Sequence, residues 1–171
     1  MPNLLKIAMG VMIAAFLGLD ALAQEKKVIY SDASSLPLFG KCVEKTSARY
    51  ERLPDELRDV IREPLWDLGR NSAGLYIRFR SNSTQIRARW RSTSPRQYMP
   101  HMADAGDSGL DLYILTEKDG WRFAGSGFEW GGRDKEVKNK TIVANMRPRM
   151  REFMLYLSLY NGITSLEIGI D

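Results

Sequence analysis

The stretch from Met99 to Leu115, MPHMADAGDSGLDLYIL, concentrates side chains that could do chemistry. His101 is the only histidine of the chain; Asp104, Asp107 and Asp111 are close by, and Ser108 sits in the run Gly106-Asp107-Ser108-Gly109. A serine, an imidazole and a carboxylate are the parts of nucleophilic acyl transfer: the hydroxyl attacks, the imidazole takes its proton, and the acid orients the imidazole. His101 lies upstream of the serine, as His101-Met102-Ala103-Asp104, and Ser108 leads straight into the strand-like run Leu110 to Leu115. Ser108 is expected to be a decoy, and no catalytic residue is expected in this chain. His101 keeps three readings: a structural hydrogen-bonding residue in a loop, a group that reaches a neighbouring domain's site, or a metal ligand. With no second histidine and no cysteine pair, no metal or other cofactor is expected.

Three further features are candidate binding or domain-contact positions. Asp111 sits within an apolar strand, where an acid needs a partner, and an ion pair to an arginine is the expected one. Arg78 and Arg80, then Arg87, Arg89 and Arg91, alternate with apolar residues on two consecutive strand-like runs. Joined as a hairpin, they put all five guanidinium groups on one sheet face, where like charges repel. Something acidic should then cover them: the chain's own acids, a neighbouring domain, or an anionic glycan such as a uronate polymer. Trp130, inside the glycine-rich run Gly125 to Gly132, is the best candidate for an exposed sugar-stacking aromatic; Trp90 falls on the apolar side and reads as core.

The elements that must position these residues are mostly strands. Leu75, Ile77 and Phe79 alternate with Tyr76, Arg78 and Arg80; Ile86, Ala88 and Trp90 alternate with Arg87, Arg89 and Arg91. Ser81 to Thr84 reads as the turn of an antiparallel hairpin. Ser92 to Gly109 is a long loop, of a length that is often functional. Leu110 to Leu115 and Trp121 to Ala124 flank a Lys118-Asp119-Gly120 turn, and strands follow at Thr141 to Ala144, Phe153 to Leu157 and Leu166 to Ile170. One or two edge strands fit within Val28 to Leu53. Leu57, Val60 and Ile61 suit one short helix that Pro64 ends. This pattern predicts an all-β antiparallel sandwich or jelly roll with at most one short helix. The period-2 pattern also names the core: Leu75, Ile77, Phe79, Ile86, Ala88, Trp90, Leu112, Phe153, Leu155, Leu157, Leu166 and Ile168.

Of the 171 residues, the first 23 read as an export signal: Lys6, the apolar run Ile7 to Leu19, and Ala21-Leu22-Ala23 before Gln24. The mature chain, 24–171, is expected to be one domain in the periplasm or outside the cell, with no membrane span after cleavage. The signal carries one lysine and one acid, so the formal net charge of +4 is unchanged by its removal. Export makes nucleic acid an unexpected partner. Cys42 is the only cysteine, so no internal disulfide forms and the core alone must hold the fold; Cys42 itself is expected to be buried.

Seven blocks in order carry a resemblance: Arg52-Leu53-Pro54, Trp66-Asp67-Leu68, Asn71 to Phe79, Met99-Pro100-His101-Met102, Ser108-Gly109-Leu110-Asp111-Leu112-Tyr113, Leu155 to Gly162 and Leu166 to Gly169. From about Tyr50 to Asp171 the chain resembles the GxDLY domain, the N-terminal β-sandwich of secreted bacterial SGNH-type esterases. The Gly-Asp-Ser-Gly-Leu run also looks like the nucleophile block of the GDSL hydrolases, but overlaps the GxDLY motif; that likeness implies a histidine downstream of the serine and a serine at a strand-to-helix turn, and neither His101 nor Ser108 fits it. The resemblance implies a catalytic domain after Asp171, carrying its own serine and a late Asp-x-x-His, and a polysaccharide bearing acyl groups as substrate. Two other readings are a stand-alone glycan-binding module and a minimal serine hydrolase using Ser108.

Overall fold

The computed structural model describes residues 27–94, 100–128 and 137–171. Among them nine strands form two antiparallel sheets. β1 (Ile29–Asp32), β9 (Ile163–Ile170), β4 (Ile86–Ser92) and β7 (Lys138–Val143) lie side by side in that order. The second sheet has the order β2 (Leu38–Phe39), β3 (Tyr76–Ser81), β8 (Arg151–Tyr156), β5 (Leu110–Thr116), β6 (Gly120–Gly127). Residues 1–23, which the sequence reading takes as an export signal, and Trp130 lie outside the described residues.

Alternation decides which side chains turn inward. Leu75, Ile77, Leu112, Phe153 and Leu155 from one sheet, and Ile86, Ala88, Trp90, Leu166 and Ile168 from the other, form a single buried cluster. Leu157 is also buried. Phe79 is half-buried and stacks on Phe153 at 5.2 Å between centroids. The predicted core is thus the observed one, because a strand with one apolar face has a single register that hides it.

The predicted β3–β4 hairpin does not form. The two strands belong to opposite sheets, and Asn82 to Gln85 is an arch between them. β3 pairs with β8, Ile77 opposite Leu155, and β4 pairs with β9, Ala88 opposite Ile168. Alternation cannot separate the two arrangements, since Ile77 and Ala88 face the same core in both. The arch is fastened by Asp171, whose Oδ1 accepts from the Thr84 amide (2.8 Å) and the Gln85 amide (3.2 Å) and from the Ser83 hydroxyl. The arginine ladder is consequently split. Arg78 and Arg80 lie on the outer face of one sheet, and Arg87, Arg89 and Arg91 on the outer face of the other, so they do not repel across a shared face. Acids of this chain meet Arg78 and Arg89: Arg78 Nε donates to Glu152 at 2.9 Å, and Arg89, which lies 3.8 Å from the Tyr30 ring centroid, pairs with Glu167 at 3.2 Å.

Two smaller expectations are corrected. Pro64 opens a helix rather than ending one: α1 spans Glu63–Gly69 with the proline in its first turn, where a missing N–H costs nothing. Leu57 and its neighbours form only a 3-10 turn, Asp55–Leu57. Cys42 is exposed rather than buried, in an irregular segment beyond the sandwich's inward faces. The long loop contains its own short helix, α2, at Asp104–Ser108.

Candidate functional site

Four connecting segments meet at the end of the sandwich away from the arch, and Asn161 joins them. Its side chain is 2 % exposed. Asn161 Oδ1 accepts from the Thr93 hydroxyl (3.1 Å) and the Ser94 amide (3.2 Å), and Nδ2 donates to the Ser94 carbonyl and to Ser108 Oγ, both at 3.2 Å. Its backbone carbonyl accepts from Ser72 N at 3.2 Å. Ser72 Oγ then ties Tyr50 O (2.9 Å) to Ile163 N (3.1 Å). Burial pushes the Tyr50 phenol above its usual pKa, so it stays protonated.

Ser108 belongs to this cluster. It is 4 % exposed; its hydroxyl donates to Asp107 Oδ2 at 3.2 Å, and its carbonyl accepts from Trp90 Nε1 at 3.4 Å. The serine hydroxyl is thus engaged by a carboxylate and an amide beneath the surface. His101 lies in the preceding turn and is exposed.

Each residue of the Gly109-Leu110-Asp111-Leu112-Tyr113 run has a visible task. Gly109 is extended, at φ −87° and ψ 178°, but a Cβ there would sit 2.2 Å from the Ala105 carbonyl oxygen at the end of α2. Leu110 and Leu112 are core residues without exposed surface. Asp111 accepts a hydrogen bond from Ser126 Oγ at 2.6 Å. Among the described residues a hydroxyl on β6, rather than the expected arginine, partners this acid; Asp111 points to the outer face between Tyr156 and Ser126. Tyr113 stands on the same outer face.

Arg52 supports the site from below. Nη2 donates to the Leu68 carbonyl at 2.5 Å and Nε to the Asn71 carbonyl at 2.9 Å, placing a cation against the C-terminus of α1. Leu53 packs on Gly69, where a Cβ would come within 2.2 Å of its Cδ1. Around this frame lies a cleft of about 580 Å³ lined by Pro64, Asp67, Leu68, Arg70, Thr93 and Tyr160, among others. Leu65, Leu68, Leu159 and Tyr160 are all more than a third exposed, a concentration of apolar surface of the kind that marks an interaction site. Among the described residues no three His, Cys, Asp or Glu side chains gather as a metal site, and no helix is long and apolar enough to cross a membrane.

The sequence singled out Ser108, His101 and Asp111 but not Asn161, the residue that holds Ser108 against the Thr93–Ser94 segment. A polar Asn161 directly after the apolar run Leu155 to Tyr160 was the available signal, and it reads equally as a simple Asn-Gly turn.

The family model that matches residues 28–171 is GxDLY, described as the N-terminus of Esterase_SGNH_hydro-type. No match was found among curated proteins. Among solved structures, a GDSL-like lipase from Bacteroides ovatus is 34% identical, superposes with a TM-score of 0.75, and aligns over 85% of this chain and 41% of its own. Salicylyl-acyltransferase SsfX3, from a tetracycline biosynthetic pathway, aligns over 86% of this chain and 40% of its own with a TM-score of 0.55; at 13% identity it shares the fold alone. The chain thus spans about two-fifths of the length of each.

Proposed function

Because the chain belongs to the GxDLY family, the N-terminal part of SGNH-type esterases, we propose that it is the non-catalytic β-sandwich of an exported esterase that acts on acylated carbohydrate. The observation that carries the non-catalytic reading is the state of Ser108: its hydroxyl is buried and held between Asp107 and Asn161, whereas an acyl-transfer nucleophile must reach both an imidazole and the substrate. Catalysis then belongs to the domain that follows in this family.

We further assign the loop end, with His101 and the exposed leucines, as the face that meets the catalytic domain. Strand β9 leads from this end to Asp171, about 26 Å away at the rise of an extended strand. A catalytic domain of about 200 residues is roughly 40 Å across, enough to lie along the sandwich and reach the loop end. In the full-length esterase, His101→Ala is expected to lower kcat/KM on an acetylated oligosaccharide by about three- to tenfold. Its effect on stability should stay within about 0.5 kcal/mol, as for an exposed side chain. A large fall in thermal midpoint with normal kinetics would make His101 a structural residue and remove the loop end from the interface.

A further inference from the structure

The outer face of the five-stranded sheet carries a row of aromatic rings that crosses all five strands. Phe39 stacks on Tyr76 with centroids 5.3 Å apart, Tyr76 meets Tyr156 at 5.0 Å, Tyr156 meets Tyr113 at 5.7 Å, and Tyr113 meets Phe123 at 5.7 Å. Each strand contributes one ring: Phe39 lies opposite Tyr76, Tyr76 opposite Tyr156 and Tyr113 opposite Phe123, while Tyr156 lies opposite Asp111 and meets Tyr113 on the diagonal. Phe39 and Tyr76 are nearly parallel at 16°, Tyr76 and Tyr156 are tilted by 43°, and Tyr113 is turned by 76° and 73° to its two neighbours. Phe39 and Phe123, at the two ends, are 37% and 59% exposed. The Arg78 guanidinium lies over the row, 5.8 Å from the Phe39 centroid and 5.5 Å from that of Trp121.

We infer that this row is a binding platform for an uncharged, extended polysaccharide chain laid across the strands. The inference rests on the carbohydrate reading above and gives it a site. Three observations choose the occupant. First, the rings repeat at the inter-strand spacing of about 5 Å, which is also the length of one pyranose unit in an extended glycan, so each successive sugar meets a ring. Second, the charged groups beside the rings already have partners in this chain: Arg78 is paired with Glu152, and Asp111 accepts from Ser126. The hydroxyls of a neutral sugar find both donors and acceptors beside the rings. Third, the platform measures about 19 Å by 20 Å, or roughly 400 Å². That is half of the approximately 800 Å² a protein partner of standard size covers on each side, and ample for a few sugar units. The rings brace one another, so little side-chain freedom remains to be lost on binding.

The test is native-gel retardation of the purified chain by soluble acetylated xylan, deacetylated xylan and polygalacturonate. Both xylans are expected to slow the wild-type chain and polygalacturonate is not. Phe123→Ala and Tyr113→Ala should each weaken retardation at least fivefold with an unchanged circular-dichroism spectrum. Phe123 is the deciding position should Tyr113→Ala fail to fold, since its ring is more than half exposed. Val60→Ala, an exposed residue away from the row, should bind as wild type. Absence of retardation by both xylans overturns the proposal, as does retardation that Phe123→Ala leaves intact. So does a Phe123→Ala effect confined to association with the catalytic domain, which would make the row a protein interface. Acetate release from acetylated xylan by the full-length esterase is measured separately: release without retardation overturns the platform alone, and retardation without release supports it while refuting the esterase substrate.

Discussion

Asn161→Ala is expected to destabilise the chain by about 3 kcal/mol, because a buried donor or acceptor left without a partner costs roughly 1–3 kcal/mol. The substitution strips partners from the Thr93 hydroxyl, the Ser94 amide and carbonyl, and Ser108 Oγ together. For a chain of this size the thermal midpoint should fall by roughly 6–12 °C. Asn161→Asp should fall at least as far. It keeps the acceptor toward Thr93 and Ser94, but replaces the donor toward Ser108 with a carboxylate one hydroxyl away from Asp107, and an unpaired buried charge is costlier than an unpaired amide. Thermal denaturation of the two variants checks this. A midpoint within 2 °C of wild type, about the shift of a neutral surface substitution, would mean that the four segments are held by packing rather than by the asparagine.

Gly109→Ala should cost about 2–3 kcal/mol, as overpacking does where nothing can give way. The added Cβ meets backbone, 2.2 Å from the Ala105 oxygen and 2.9 Å from its carbonyl carbon. Relief would break the bond from Gly109 N to Ala105 O that closes α2. Gly106→Ala, three residues earlier in the same run, is the contrast. Its Cβ would meet the Met102 side chain at 3.3 Å, and a methionine can move aside, so a change below about 1 kcal/mol is expected. Urea denaturation of the pair separates a glycine required by space from one that is only convenient. Equal effects would show that the motif glycine is not required for this packing.

What was legible in the sequence was local. Leu75, Ile77 and Phe79, or Ile86, Ala88 and Trp90, declare which side faces inward, and that single bit per residue was enough for the fold class and the core. It carries no record of which strand lies alongside. The arch at Asn82 to Gln85 therefore read as a hairpin, and the arginines as one ladder. The arch depends on Asp171, 87 positions from Thr84, which no local window contains. Pro64 was misread because proline suits either side of a helix boundary, and the choice fell to the tertiary setting of α1. Ser108 was singled out by its type and spacing, but its burial between Asp107 and Asn161 was not legible, because Asn161 lies 53 positions away. Asn161 was not legible, since its four side-chain hydrogen bonds go to two distant segments, Thr93–Ser94 and Ser108. The aromatic row was half visible: Tyr76 was assigned outward, but that five such residues align needed the registers of β2, β3, β8, β5 and β6.

The central claim is that this domain does not itself catalyse the esterase reaction. It is tested most directly by the turnover of an aryl acetate by the purified chain, with and without Ser108→Ala, beside the full-length esterase. The expected result is no turnover above buffer by the chain, hydrolysis by the full-length protein, and a kcat/KM for full-length Ser108→Ala within about twofold of wild type. Turnover by the isolated chain that Ser108→Ala abolishes while the fold is retained would contradict it and make Ser108 a nucleophile.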